Sequence, residues 1–265
     1  MNIDKAKCVG CGNCIPWCTM GVIYIGADGK AEVNDDECVE CSNCYRVLGS
    51  EGYEPFAVWT TRKLLAAVHL SYDHPIDRCP VGAHVPPKLT WPRTLRRAFS
   101  DPIAPHEGTG VAGRGTEEIK TNDVTGRLGP GDVGFVVELG RPGLGARFRD
   151  FQMMTTALAA LGVHFEPKNP LTILMTDTAT GTIRADVLDE KVLSAIVEIR
   201  TTLDMVPAVL DTIDRTARDL PTVVSVGIAS RCAPDGAIPH EAVVADLGRA
   251  LSPNGKTNLG LGRAL

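Results

Sequence analysis

An α+β chain in two parts is what this sequence predicts, on three observations. Eight of the nine cysteines lie within residues 8–79, and the ninth, Cys232, stands alone. Residues 86–110 hold five prolines and no sustained hydrophobic period. Beyond about residue 130, segments of strand period and helix period alternate in the order β-α-β-β-α-β. The length of 265 residues suits one large or two modest domains. The division expected is a cysteine-rich domain over 1–85 with an insertion over 45–78, a Pro/Gly-rich linker and polar loop over 86–130, an α+β domain over 131–251, and a Gly/Asn-containing tail over 252–265. No apolar run approaches the roughly 20 residues of a membrane helix. The opening Met-Asn-Ile-Asp-Lys-Ala-Lys has no apolar signal region, so a soluble, cytoplasmic protein with reduced thiols is expected.

The cysteines come first in the chain. Cys8, Cys11 and Cys14, with Cys18 following, form a C-x2-C-x2-C run; Cys38, Cys41 and Cys44 form a second, and Cys79-Pro80 lies further on. Three thiolates at this spacing can wrap a tight loop around three irons of a cubane cluster, with the fourth ligand arriving from elsewhere. Zinc is the competing reading, since Cys-x-x-Cys pairs also bind that ion, but its four-ligand tetrahedron leaves the third cysteine of each run without a role. Cys232 has no partner motif and reads as a small buried hydrophobe.

Over residues 1–85 these motifs resemble the bacterial ferredoxins that carry two 4Fe-4S clusters. In that family the fourth cysteine of each run ligates the other cluster. The resemblance implies Cys8, Cys11, Cys14 and Cys79 on cluster I, and Cys18, Cys38, Cys41 and Cys44 on cluster II. Cys18-Thr19-Met20-Gly21-Val22 and Cys79-Pro80-Val81-Gly82-Ala83 both resemble the family's C-P-x-G-A ending. The repeat is imperfect: Thr19 stands for proline, and 34 residues separate Cys44 from Cys79 where the family has three. Leu48, at the usual ligand position, cannot bind iron. Either Cys79 returns after an inserted loop, or cluster I has only three protein thiolates; the Cys-Pro-Val-Gly-Ala context favours the first. Within the insertion, Thr61–Ser71 reads as a helix with an apolar stripe of Leu64, Leu65, Ala67 and Val68, covering one side of cluster I.

The net charge of −5 is unevenly spread, with nine acidic and four basic side chains in residues 1–58. That face suits either docking to a basic partner or plain solvation. Lys88, Arg93, Arg96 and Arg97, interleaved with Trp91 and Phe99, form a basic strip. In an acidic chain without a nucleic-acid-binding fold, it reads as a linker packed on the acidic module, and no nucleic-acid partner is expected.

The remaining elements follow in order. Gly108-x-Gly110-x-x-Gly113 satisfies G-x-G-x-x-G, but Asp101–His106 before it is no buried strand, so a dinucleotide site is not expected. Val133–Leu139 reads as a strand, and Ala146–Leu161 as a helix ended by Gly162, with Phe148, Phe151, Met154 and Leu158 on one face. Val163–Phe165 and Leu171–Met175 read as extended, and a turn at Thr176–Gly181 leads to Thr182–Ala185. Asp189–Arg200 and Asp204–Asp219 read as helices, with Pro207 in the first turn of the second. Thr222–Ala229 reads as a strand and Glu241–Leu251 as a helix. The order predicts a split βαβ, ferredoxin-like sandwich, a name that implies no cluster.

Two polar stretches stand outside any predicted core. Gly113-Arg-Gly-Thr-Glu-Glu-Ile-Lys-Thr-Asn-Asp-Val-Thr-Gly-Arg127 and Glu138-Leu-Gly-Arg-Pro-Gly143 combine turns with functional groups, and helix-start N–H groups beside Arg141 or Arg147 suit an anion. These stretches resemble the 6-hydroxynicotinate reductase family, iron–sulfur and flavin enzymes that reduce an aromatic N-heterocycle. The resemblance implies an oxidoreductase component passing low-potential electrons to an N-heterocyclic or conjugated carbonyl substrate. Glu118, Lys120, Asn122 and Arg141 are then the candidate substrate contacts, while the catalytic residues are not assigned. No flavin motif is apparent, so a flavin sits on another chain or is absent. The alternatives are an electron-transfer subunit docked to a separate catalytic chain, within an oligomer or complex, and a structural or oxygen-sensing cluster module.

Overall fold

The computed structural model describes residues 1–71, 74–104 and 126–252. The chain divides into two compact units, Met1–Arg97 and Ala98–Leu265. No helix among the described residues is long and apolar enough to cross a membrane.

Unit 1 is built from short pieces: β1 (Asn2–Ile3), β2 (Ile23–Ile25), β3 (Ala31–Val33), α1 (Asn43–Val47), β4 (Gly49–Ser50), α2 (Pro55–Ala67), β5 (Arg78–Cys79), β6 (His84–Val85) and the start of α3 (Thr94–Ser100). β2 and β3 form an antiparallel hairpin, β1 pairs with β6, and β4 runs parallel to β5. Strands of two or three residues bury little surface. The apolar cluster of Met1, Ile23, Ala31 and Cys44 is packed against Cys8, Cys14 and Cys18, so the thiols themselves form much of this core.

The inserted helix differs from the Thr61–Ser71 expectation. It begins six residues earlier, because Glu54 accepts a hydrogen bond from the Ala57 N–H at 2.8 Å and Pro55 opens the first turn. Leu64 and Val68 of the expected stripe are exposed, and Val58 is the buried residue.

Unit 2 contains β7 (Asp132–Leu139), β8 (Ala146–Arg147), α4 (Phe148–Ala159), β9 (His164–Phe165), α5 (Pro170–Ile173), β10 (Met175–Asp177), β11 (Thr182–Ile183), β12 (Lys191–Val192), β13 (Ala195–Thr202), α6 (Val206–Arg218), β14 (Val224–Ser230) and α7 (Pro239–Asp246). Its main sheet has the order β14-β7-β13-β9 with every neighbouring pair antiparallel. Val133, Phe135, Val137 and Leu139 alternate along β7 and are buried; Val136, on the opposite side, joins Leu128 and Ala229 in a second apolar cluster. α4 and α6 pack together, burying Phe148, Phe151, Met154 and Leu158 from one and Val209 and Ile213 from the other.

Three element expectations in unit 2 are corrected. Asp189–Arg200 is not helical: Lys191–Val192 pairs with β8, and Ala195–Thr202 runs along all eight residues of β7. Val197 and Ile199 alternate inward there, and long-range pairing outweighs the helical reading. Of the expected extended segment Leu171–Met175 only Met175 is in a strand, since Asn169 caps a helical turn by accepting from the Leu171 N–H at 2.8 Å and Pro170 occupies its first position. The helix expected from Ala146 starts at Phe148, because Ala146 and Arg147 pair with Val192 and Lys191.

Candidate metal centre

The first cysteine loop is shaped by glycines. Gly10 and Gly12 adopt φ of +66° and +82°, the left-handed region that side chains resist. They let the chain between Cys8 and Cys14 fold tightly over the β2–β3 turn. Ala31, just past that turn, donates its N–H to Cys8 Sγ at 3.3 Å.

The two separated cysteines occupy repeated settings. Val22 N–H donates to Cys18 Sγ at 3.3 Å, and Ala83 N–H donates to Cys79 Sγ at 3.3 Å. Each bond closes over a left-handed glycine, Gly21 at φ +65° and Gly82 at φ +59°. The sequence likeness of the two endings is thus a likeness of backbone form, with Thr19 replacing proline at no visible cost to it.

The insertion returns Cys79 to the first loop. Asn13 Nδ2 donates to the carbonyls of Pro75 at 3.0 Å and Arg78 at 2.9 Å, and Trp17 Nε1 donates to Ile76 O at 2.9 Å. Both anchors lie between ligand-type cysteines. β4 guides the last step, with Ser50 paired to Cys79 and the Glu51 N–H bonded to Cys79 O at 3.1 Å. Val58 of α2 packs in one apolar cluster with Cys79, Val81 and Ala83, against Cys8 and Val9. Leu48 is buried in the position where a short-loop ferredoxin would place a ligand.

Electrostatics sorts the thiols into two groups. Burial pushes Cys14 up to about 12, helped by the nearby Cys11, Cys8 and Cys79. Cys11 is raised for the same first reason, with Cys79 and Cys8 adding to it. Cys44 is likewise pushed up to about 12 by burial and by Cys41, Cys18 and Cys38. Each neighbour raises the pKa because a second thiolate beside the first is repelled. Cys79 is the exception: burial raises it, but hydrogen bonds from the His84 side chain and the Ala83 and Val81 N–H groups outweigh that and bring it to about 7.

Four clustered thiols that oppose one another's ionisation can all become thiolates when cationic metal neutralises them. The second group also lines one apolar cavity, in which Cys18, Cys38, Cys41 and Cys44 meet Met1, Ile23, Val33 and Val39. The donor set, the N–H bonds to sulfur and the apolar walls suit a thiolate-held cluster. Among the described residues, no group of three or more His, Cys, Asp or Glu side chains is arranged to hold a single metal ion.

Cations brace the second cysteine run from outside. Arg46 donates to Cys41 O at 2.7 Å, and Arg96 donates to Cys38 O at 2.8 Å and Asp36 O at 2.6 Å. Arg93 pairs with buried Glu40 at 2.6 Å and with Asp35 at 3.3 Å. Two arginines of the basic strip therefore bind the acidic segment before and within the second run.

The substrate-contact candidates fare differently. Glu118, Lys120 and Asn122 lie outside the described residues, as do the G-x-G-x-x-G segment and the tail from Pro253. Arg141 is half-exposed in unit 2, and its Nε pairs with Glu138 at 2.8 Å. Arg147 donates to Asp189 O at 2.6 Å, and its own N–H is accepted by Asp150 at 2.8 Å. At the end of the first polar stretch, Arg127 joins a buried network absent from the sequence reading. It pairs with Glu166 at 3.2 Å and lies 3.8 Å from Glu198, which also accepts from Asn169 at 2.9 Å.

The first part of unit 1 is similar to iron–sulfur cluster-binding modules of the ferredoxin type, which transfer electrons. Residues 1–47 match the family model described as a 4Fe-4S dicluster domain. That segment contains seven of the cysteines and ends before the insertion and Cys79. No curated protein and no solved structure matched the chain.

Proposed function

We propose that the protein is an electron-transfer component with two 4Fe-4S clusters, cluster I held by Cys8, Cys11, Cys14 and Cys79 and cluster II by Cys18, Cys38, Cys41 and Cys44. Cys14 is surrounded by Cys8, Cys11 and Cys79 and Cys44 by Cys18, Cys38 and Cys41, and these two sets, together with the matching N–H-to-sulfur turns after Cys18 and Cys79, carry this reading. When bound, such clusters supply reversible one-electron chemistry. The chain's own residues set the conditions for it. The N–H groups of Ala31, Val22 and Ala83 donate to the ligand sulfurs and stabilise their charge. Met1, Ile23 and Val39 on one side and Val58 and Val81 on the other form apolar walls beside the thiols, of which Cys44 and Cys79 are buried. Domain boundaries follow the same reading: a cluster domain with an insertion over 45–78, then a split βαβ sandwich to which the order β14-β7-β13-β9 gives support.

The finer role is an oxidoreductase component whose electrons reduce an N-heterocyclic or conjugated carbonyl substrate, alone or with a flavin-bearing partner chain. This rests on the two polar stretches, in which Arg141 is the described candidate for holding a carboxylate or a developing oxyanion. EPR of the chemically reduced, anaerobically purified protein tests the electron-transfer reading. Two paramagnetic centres that reduce reversibly within about −700 to +450 mV are expected. Centres that cannot be reduced and reoxidised would favour a structural module instead.

A further inference from the structure

The inserted helix carries a cation with an unmet hydrogen bond. Nη1 of Arg62, on α2, is buried and has no acceptor among the described residues. A buried donor on a charged group is costly to leave unpaired, so such a group marks a missing partner. Its surroundings say where that partner lies. Arg62 lines a cleft of about 330 Å³ together with Cys8, Val9, Gly10, Lys30 and Trp59. Val58, one turn earlier on α2, packs in the apolar cluster that contains Cys79 and borders Cys8. One helix face therefore presents both an apolar cover and a guanidinium to the first group of thiols. The next residue, Lys63, is exposed and lies with Nζ 5.9 Å from the Trp59 ring centroid.

We propose that Arg62 is a positioning residue for cluster I, donating through Nη1 to sulfur on the Cys8 side of the cleft they both line. The inference rests on the assignment of Cys8, Cys11, Cys14 and Cys79 to one cluster. One electron added to that cluster adds one negative charge beside the guanidinium, and both the charge and the N–H bond to sulfur favour the reduced form. The insertion thereby does more than return Cys79. It supplies a cation that raises the potential of cluster I, a residue the short-loop arrangement has no place for.

The test is an EPR-monitored potentiometric titration of the full chain, loaded anaerobically with iron and sulfide. R62Q should lower the reduction equilibrium constant of one cluster about tenfold, which is about 59 mV for a one-electron couple, and leave the other unmoved. K63Q, which removes an exposed charge that lines the same cleft without a buried donor, should move that potential less than R62Q does. R62K keeps the charge without the planar donor, and should load fully with a potential between R62Q and wild type. If R62Q loses about four irons per chain while R62K keeps them, the contact is supported through binding instead. Full loading with unmoved potentials in R62Q, or equal shifts in R62Q and K63Q, would overturn it. The underlying assignment fails separately and visibly, if C79A keeps every iron of the wild type.

Discussion

Replacing Gly10 by alanine should dismantle the first cysteine loop, whereas the same change at Gly12 should be tolerated. Both glycines are left-handed, at φ +66° and +82°, so alanine at either costs about 1–2 kcal/mol in backbone conformation. Their surroundings differ. A Cβ at Gly12 would meet only Ile15 Cδ1, at 3.8 Å, an ordinary contact. A Cβ at Gly10 would lie 1.9 Å from the carbonyl oxygen of Gly29, and neither partner is a side chain that can rotate away. One of two backbones must retreat by more than an ångström. One carries Cys8, and the other leads into Ala31, whose N–H bonds to Cys8 Sγ at 3.3 Å. Overpacking of this kind adds about 1–3 kcal/mol, so G10A should cost roughly 2–5 kcal/mol against 1–2 for G12A. Iron bound after anaerobic reconstitution, and the denaturant midpoint of cluster bleaching, measure the difference. G10A should load less iron and bleach at lower denaturant. Equal loading and equal midpoints would refute the close packing of the loop on the β2–β3 turn.

Three further outcomes follow from the same residues. Cys79→Ala should reduce the iron content from about eight to about four per chain, or leave a three-iron centre visible by EPR, whereas L48C alone should not restore it. Glu198→Ala strands the buried Asn169 amide, while Arg127 keeps its pair with Glu166, and should destabilise unit 2 by about 1–3 kcal/mol, read as a lower denaturant midpoint, while the cluster absorbance is unchanged. Burial holds His240 below its ordinary 6.5, against the opposing pull of Glu241. The unfolded chain then binds more protons than the folded one between that lowered value and about 6.5, so stability rises with pH across this window and is lost as pH falls through it. H240Q should flatten the dependence, and an unaltered slope in chemical denaturation across that range would count against a half-buried neutral ring at Ser230.

The cysteine spacing made the metal centre legible because each run is local: three ligands within seven residues need only a tight loop. Cys79 was legible through its Pro-Val-Gly-Ala sequel, which encodes the same turn as the residues after Cys18. What the sequence concealed was carried by contacts between distant residues. Nothing about Asn13 or Trp17 announces that they bind carbonyls some sixty residues later. Arg62 reads as an ordinary helix cation until the burial of its Nη1 is known. The helix start at Glu54-Pro55 did have a local signal, a capping residue followed by proline, as did Asn169-Pro170. Asp189–Arg200 failed for a different reason. Its apolar residues satisfy helical and strand periods alike, and pairing with β7, more than fifty residues away, decides between them. In unit 2, β7 and α6 were clear because each has one period, two or 3.6, without an alternative.

Counting iron and acid-labile sulfide on the anaerobically purified chain tests the central claim most directly. Two thiolate-held cubanes require about eight of each per chain, lost together on acidification. Zinc without sulfide, or about four irons with Cys79 freely alkylated, would contradict the assignment of these eight cysteines.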